Sequence, residues 1–375
     1  MSDILPIVMP KWGLAMSEGT LVSWLVPEGG EVNKGDEIAE IETTKITNAF
    51  ASPNSGVLRR QIVKVGEIAP VGALLAIVAP TTVTNDEIDA FVGSFVVEVK
   101  DEGASGAVER EANFAGKKLF YKLAGGSQDG IPVVLIHGFG GDADNWLFNI
   151  DALSADRPVY AIDLPGHGKS TKDIASGDLG ELADAVAAVV NDAGISKAHF
   201  VGHSLGAAVV FKMLEQHPDR VASIVGVAPA GVGPSVNDAY VSGFIAAEKR
   251  KDVKSSLQML VADPEQVSAA MIEGIQRYKR LEGVAKAIQT IAAKTLPGGR
   301  QTSSFRDLLE KTNKPILIVW GEKDAIIDAA QAEGLSGKIS IIRLPGVGHM
   351  PHLEAANTFN DRLIEQFKNV EANIR

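Results

Sequence analysis

Phe200-Val201-Gly202-His203-Ser204-Leu205-Gly206-Ala207-Ala208 is the stretch on which the fold of this 375-residue chain turns. An apolar run leads into it, and Leu205–Glu215 continues with helical spacing. Small residues at 202, 206 and 207 let a strand and a helix approach closely, and the serine falls on the sharp turn between them, its hydroxyl pushed out of the sheet. Gly-x-Ser-x-Gly alone is a weak signal, but between an apolar strand and a helix it is a strong one. Outward from it, buried-strand candidates recur at Val133–Ile136, Val159–Ile162, His199–Gly202, Ser223–Val227, Ile316–Trp320 and Ile339–Leu344. Helical stretches such as Leu179–Val190, Leu205–Glu215 and Thr358–Phe367 lie between or after them. Such alternation implies a mostly parallel sheet covered on both faces.

The serine has companions in the order Ser, acid, His. Trp320-Gly321-Glu322-Lys323-Asp324 follows one buried strand, and Gly346-Val347-Gly348-His349 follows the next. His349 is the expected general base for Ser204, with Asp324 holding its tautomer and balancing the imidazolium charge. Asp328 is a possible substitute for Asp324. After the earlier strand the chain offers only Ala228-Pro229-Ala230, which has no acid. Together these motifs make residues 114–375 resemble the α/β-hydrolase family. The resemblance implies that His137-Gly138-Phe139-Gly140-Gly141 is an oxyanion loop, with the N–H groups of Phe139 and Leu205 meeting the developing charge. It also implies that Asp163-Leu164-Pro165-Gly166-His167-Gly168-Lys169-Ser170 is a structural turn without chemistry. His137, His203 and His352 are read as packing or supporting residues. Helical, charge-rich sequence over 231–310 interrupts the alternation, and an insertion there would form a lid.

Residues 1–80 follow a different rule. Gly19, Leu21, Gly30, Val32, Gly35, Ile38 and Ala39 recur 36 or 37 positions later as Gly56, Leu58, Gly66, Ile68, Gly72, Leu75 and Ala76. Glycines between β-branched runs mark short strands and tight turns, so two half-units should stack into a small two-sheet sandwich. The first half alone continues into Glu42-Thr43-Thr44-Lys45-Ile46, which places Lys45 at a hairpin tip. With Met9-Pro10-Lys11-Trp12-Gly13 and Glu18-Gly19, this segment resembles a lipoyl domain, and the resemblance implies lipoate on Lys45. Most lipoyl domains carry Asp before that lysine, where this chain has Thr44; the methionines that flank the lysine of biotin carriers are missing.

Residues 81–113 hold eight acidic and two basic residues, a tether-like composition that stays solvated and self-repels. Within them Ile88, Phe91, Val92, Phe95 and Val96 share one helix face. That face belongs either to a short helix docked on a domain or to a docking site for a partner enzyme. The Arg- and Gly-rich partner-binding domain of conventional lipoyl-bearing acyltransferases is not present.

Composition narrows the rest. A net charge of −11 argues against nucleic-acid binding. No cysteine is available for disulfides or a thiolate metal site, and no metal is expected. No apolar run reaches membrane-spanning length and no secretory leader is evident, so a cytoplasmic protein is expected.

An acyl carrier fused to a serine acyl-transfer site resembles the acetyltransferase components of acetoin-cleaving dehydrogenase systems. The resemblance implies transfer of acetyl from lipoyl-lysine to coenzyme A. It also implies thiamine-dependent acetoin dehydrogenase subunits and dihydrolipoamide dehydrogenase as partners in an oligomeric complex. The His-x-x-x-Asp-Gly motif of conventional lipoyl-dependent acyltransferases follows none of the seven histidines, so their mechanism cannot be carried over. Two alternatives stand beside transfer: a hydrolase (thioesterase or carbon–carbon bond hydrolase) fed by the carrier, and a non-enzymatic carrier and docking subunit.

Overall fold

A computed structural model describes residues 4–10, 12, 16, 18–43, 47–95, 107–125 and 130–373. The chain divides near residue 104 into two compact units.

In the first unit the repeat becomes two interlocked sheets. Its strands are β1 (Leu5–Val8), β2 (Glu18–Trp24), β3 (Glu31–Val32), β4 (Glu37–Glu42), β5 (Thr47–Ala51), β6 (Gly56–Gln61), β7 (Ile68–Pro70) and β8 (Leu74–Ala79). One antiparallel sheet has the order β1-β8-β6-β3 and the other β5-β4-β2-β7. The repeat maps β2, β3 and β4 onto β6, β7 and β8, yet β3 pairs with β6 and β7 with β2. Each half therefore lends its short strand to the other's sheet, which explains why neither could fold alone. The repeated pairs Leu21/Leu58, Ile38/Leu75 and Ala39/Ala76 are all fully buried in the shared core.

The pairing of Glu42 with Thr47 leaves residues 43–46 as the β4–β5 connection. Lys45 itself lies outside the described residues. The corresponding edge pair in the other sheet is β8 with β1, strands with 65 residues between them in the chain rather than joined by a hairpin. The quasi-symmetry thus supplies a single tip of this kind.

The segment 81–95 is a docked helix. α1 (Asn85–Ser94) begins with a reciprocal cap, Thr84 accepting from the Glu87 N–H and Glu87 accepting from the Thr84 N–H. Its Ile88 is fully buried against Leu74, Ile77 and Ala79, with Phe91, Val92 and Phe95 packed on the same cluster. Strand β8 is consequently buried on both faces, toward the sandwich core and toward α1. Arg59 donates to the carbonyls of Pro80 (2.7 Å) and Val83 (2.8 Å), and Arg60 pairs with Asp89. The apolar face is thus occupied by its own domain; Val96 lies outside the described residues.

The second unit has eight strands in the order β16-β15-β14-β13-β11-β12-β10-β9. These are β9 (Val108–Phe114), β10 (Lys117–Ala124), β11 (Val133–Ile136), β12 (Val159–Ile162), β13 (Ala198–His203), β14 (Val221–Val227), β15 (Ile316–Gly321) and β16 (Ser340–Leu344). Strands β11 to β16 are parallel, and β9 and β10 extend the sheet as an antiparallel hairpin. Hence residues 108–113, assigned from composition to the acidic linker, belong to the sheet. They escaped notice because β9 is an edge strand: Glu109, Arg110 and Glu111 are all exposed, so its charges read as tether.

Helices α2 (Leu147–Leu153), α3 (Leu179–Asp192) and α4 (Leu205–Gln216) follow β11, β12 and β13. Between β14 and β15 come α5 (Asp238–Ala246), α6 (Arg250–Gln258), α7 (Ala269–Lys279), α8 (Val284–Thr295) and α9 (Arg306–Lys311). The chain closes with α10 (Pro351–Glu354) and α11 (Ala356–Ala372). On one face of the sheet, Val133, Leu135, Val201, Val225 and Val319 pack on Trp146, Phe359, Leu363 and Phe367 of the α2 and α11 side. Among the described residues no helix is long and apolar enough to cross a membrane.

Replacing Ile88 with Ala should destabilise the first unit by about 2–4 kcal/mol, since the cavity would open in a dry cluster. Thermal unfolding of the full chain checks this: the transition of the first unit should move down while that of the second stays in place.

Candidate active site

The sheet ends where backbone meets backbone. A Cβ on Gly202 would lie 2.4 Å from the Gly206 carbonyl oxygen, and one on Gly206 would lie 2.4 Å from the carbonyl oxygens of His137 and Ile136. Helix α4 can therefore start only where it crosses directly over the ends of β13 and β11. Ser204, caught between strand and helix, is driven to φ 53°, ψ −116°. This left-handed φ costs a non-glycine residue on the order of 1–2 kcal/mol. Three hydrogen bonds hold it: Ser204 N–H to Val227 O (2.9 Å), and the N–H groups of Ala207 (3.0 Å) and Ala230 (3.1 Å) to Ser204 O. Ala228, at the position where an alternative acid would stand, is itself at φ 43°.

Asp324 and His349 come together as the sequence implies. Asp324 Oδ2 accepts from His349 Nδ1 at 2.8 Å, and both side chains are buried. The carboxylate also accepts from Trp320 Nε1 (3.0 Å) and from the N–H groups of Ile326 (2.8 Å) and Ile327 (2.9 Å). Four donors thus fix one carboxylate, and its bond to Nδ1 leaves Nε2 as the nitrogen able to take a proton. Asp328 is engaged elsewhere, accepting from Ala330 N–H at 2.8 Å. Glycine again permits the approach, since a Cβ on Gly321 would lie 2.0 Å from Gly348 O.

His203 ties the two loops together. Its Nε2 donates to the carbonyl of His349 at 2.8 Å, and its ring packs 4.8 Å from that of His349 and 4.6 Å from that of His352. The sequence marks His203 as a packing or supporting residue, and the structure shows which support it gives. The signal for this bond, a histidine just before the serine, has no meaning until the His349 loop is placed beside it.

The Phe139 loop lies against Ser204: a Cβ on Gly138 would fall 2.8 Å from His203 Nδ1 and 3.1 Å from Ser204 Cβ. Leu205 is the first residue of α4, and opening amides of a helix have no intrahelical acceptor. His137 frames this loop as a neutral residue, its Nδ1 donating to Gly138 O (2.8 Å) and its Nε2 accepting from Leu164 N–H (3.1 Å). The helical insertion between β14 and β15 reaches the same loop through Tyr240, whose hydroxyl donates to Phe139 O at 3.4 Å, and through Phe244, 5.8 Å from the Phe139 ring. Asp163 staples the turn beside it, accepting from Ala143 N–H (2.7 Å) and Lys169 N–H (2.6 Å).

Burial shifts five histidines below their usual range. Burial, with neighbouring His137, pushes His167 down to about 3. Burial, with His349, pushes His352 down to about 3. Burial takes His199 down to about 4, lowers His137, and, with His352 and His349, takes His203 well below its ordinary value. Burial and the nearby Asp142 push the Asp163 carboxyl the other way, up to about 7.

The fold and site define a class. Residues 131–356 match the family described as alpha/beta hydrolase fold, and residues 6–78 match the biotin/lipoyl attachment family described as biotin-requiring enzyme. Among solved structures, a bacterial membrane phospholipase A aligns with a TM-score of 0.63 and 25% identity, over 76% of this chain and 95% of that one. A 2-hydroxy-6-oxo-6-phenylhexa-2,4-dienoate hydrolase from Rhodococcus aligns with a TM-score of 0.62 and 21% identity, over 70% of this chain and 99% of that one, and shares the fold.

Two relatives match from end to end. The dihydrolipoyllysine-residue acetyltransferase component of the acetoin cleaving system of Pseudomonas putida is 45% identical over 97% of this chain and 98% of its own length. The component of the same name from Cupriavidus necator is 41% identical over 95% of this chain and 96% of its own length. The chain belongs to this family of acetoin-system acetyltransferase components; it is an acyltransferase.

The histidines make a pH prediction. Held neutral when folded and titrating near 6.5 when unfolded, they give an unfolded chain that binds more protons below pH 6.5. Stability should therefore fall as pH drops from 6.5 toward 3, each group contributing at most ~1.4 kcal/mol per pH unit. Asp163 acts oppositely between about pH 4 and 7 but is outnumbered. Neither ring nitrogen of His352 hydrogen-bonds to a described residue, so His352→Phe should hold its melting temperature at pH 7.5 and lose less of it at pH 5 than the wild type. Calorimetric scans at the two pH values check this.

Proposed function

We propose that Ser204, His349 and Asp324 are the catalytic triad of this acetyltransferase, that Lys45 carries the lipoyl group, and that coenzyme A is the acceptor. One observation carries the reading: a buried His349–Asp324 pair stands with its backbone tied to His203, beside a serine held at a positive-φ strand–helix turn, in a chain that also contains a carrier-type domain. Lipoate on the β4–β5 connection would act as a swinging arm, and its reduced form supplies the thiol on which acetyl arrives as a thioester.

Ser204 Oγ attacks the acetyl carbonyl while His349 Nε2 takes its proton. The N–H groups of Phe139 and Leu205 stabilise the oxyanion, the carbon–sulfur bond breaks, and His349 returns the proton to the departing sulfur. His349 then takes the proton of the acceptor thiol, which attacks the acetyl-serine; Ser204 leaves and is reprotonated. Asp324 stays ionised throughout, balancing the imidazolium. Thioester and ester are close in energy, so transfer runs in either direction. Water would divert the acetyl-serine to acetate, and the lid that closes on Phe139 through Tyr240 and Phe244 would exclude it. As an acetoin-system component the chain would work beside thiamine-dependent acetoin dehydrogenase subunits and dihydrolipoamide dehydrogenase.

A hydrolytic reading has one specific observation in its favour. The second domain is 27% identical, over 52% of this chain, to a 2-hydroxy-6-oxononadienedioate/2-hydroxy-6-oxononatrienedioate hydrolase from Pseudomonas. Product analysis separates the two: acetyl-coenzyme A marks transfer, and free acetate at the same rate marks hydrolysis.

Ser204→Ala should lower acetyl transfer by several orders of magnitude and end labelling by serine-directed phosphonates. Wild-type transfer by this variant would mean that the thiol attacks the carrier directly. Lys45→Arg, made in a lipoylating host, should remove the lipoyl mass from the protein and stop coupled turnover while phosphonate labelling of Ser204 continues. A lipoyl mass on any other lysine would overturn the assignment.

A further inference from the structure

Beyond the triad, one carboxylate holds the His349 loop from behind. Glu354, the last residue of α10, accepts from the N–H of Gly348 (3.0 Å) and of Ala262 (2.7 Å) through Oε2, and from the N–H of Met350 (3.0 Å) through Oε1. The amide between those two, His349 N–H, donates to Leu260 O at 2.9 Å. Leu260 and Ala262 belong to the lid, just after α6. Three consecutive amides of the loop that carries the base are thus bound either to Glu354 or to the lid segment that Glu354 also grips. The contact is tight, since a Cβ on Gly348 would lie 2.6 Å from Ala262 N. The opposite side of the loop is fixed through His349 O to His203 and through Nδ1 to Asp324.

We propose that Glu354 is a positioning residue that aligns His349 and couples the base to the lid, so that the imidazole is in register for Ser204 only while segment 260–262 is seated. This rests on the reading of His349 as the base. A half-buried carboxylate is a costly way to join two loops unless its several acceptor sites are used, and here three amides from two loops use them. An apolar residue at 354 could fill the space but would leave three buried N–H groups without their acceptor. A lid displaced to admit substrate would withdraw Leu260 O and the Ala262 N–H together and release the base loop. Reseating the lid would restore the base at the moment water is excluded.

The test compares Glu354→Ala and Glu354→Gln in the full-length lipoylated protein. Gln keeps the shape and one acceptor oxygen, but turns an NH2 toward the amides on the other side. For Ala, kcat for acetyl transfer should fall on the order of 100-fold, the scale of a small misplacement of a catalytic group, with little change in KM. Gln should fall between Ala and wild type, and phosphonate labelling of Ser204 should slow in the same order. The strongly downfield proton of the His349 Nδ1–H···Asp324 bond, read by NMR, should broaden or vanish in Ala and persist, weakened, in Gln. A folded Glu354→Ala variant with wild-type kcat and an unchanged downfield proton overturns the proposal. Should Ala not fold, the isosteric Gln variant decides by the same two readouts. The NMR signal does not depend on the reaction, so it still judges Glu354 if Ser204→Ala were to show that acyl-serine chemistry is wrong.

Discussion

Everything at the C-terminal ends of the strands depends on one steric fact, the backbone-to-backbone crossing of α4 over β13 and β11. Two side chains are absent at the crossing, Gly202 and Gly206, and an added Cβ at either would sit 2.4 Å from a carbonyl oxygen. With strand and helix that close, the linking residue has no relaxed conformation and Ser204 takes φ 53°. The strain is small beside the hydrophobic stabilisation of a sheet whose β11, β13 and β14 are buried along their whole length. It is held by hydrogen bonds to the neighbouring strand end, where Ala228 is strained as well. Strained backbone persists where its surroundings over-determine it, and such places are commonly sites of chemistry.

The proposed acid and base are brought together by the same device two strands further along the sheet. Gly321 at the end of β15 lets Gly348 O approach, which brings the two loops close enough for the 2.8 Å bond between His349 and Asp324. Around that bond lies a shell of histidines kept neutral by burial. Neutral rings can pack against His349 without competing electrostatically with the imidazolium it would form as the proposed base. Charged ones would lower its basicity, so the burial of His203 and His352 serves the site and also makes the fold sensitive to acid.

The first unit solves a different problem with the same economy. Two repeat halves of about forty residues are too small for separate cores. Exchanging β3 and β7 between the sheets gives them one core, and α1 covers the outer face of β8. The quasi-twofold arrangement leaves one hairpin, β4–β5, where its counterpart would join the distant ends of the domain. The carrier-type domain and the domain of the proposed triad thus have separate cores.

The sequence by itself determined the division into an all-β repeat domain and a strand–helix domain. It also determined six parallel strands to within two residues at each end and the order of Ser204, Asp324 and His349. These were legible because periodicity, glycine spacing and strand–turn–helix punctuation are local, fixed by what adjacent backbone can do. The hairpin β9–β10 was not legible, since a charged edge strand alternates no more clearly than a tether does. Nor could sequence choose between a docked and an unpartnered face for Phe91 and Phe95, because the partner surface on β8 is contributed from elsewhere in the chain. The sequence preferred Asp324 to Asp328 because it opens the loop after β15, and tertiary structure supplied the reason, turning Asp324 toward Nδ1 and Asp328 to Ala330. Only it brought His203 to the His349 carbonyl and Glu354 to three amides of two loops. The bonds from His203 and from Glu354 to Ala262 join groups 146 and 92 positions apart in the chain, and contacts of that kind are set by how the layers pack and not by the order of residues.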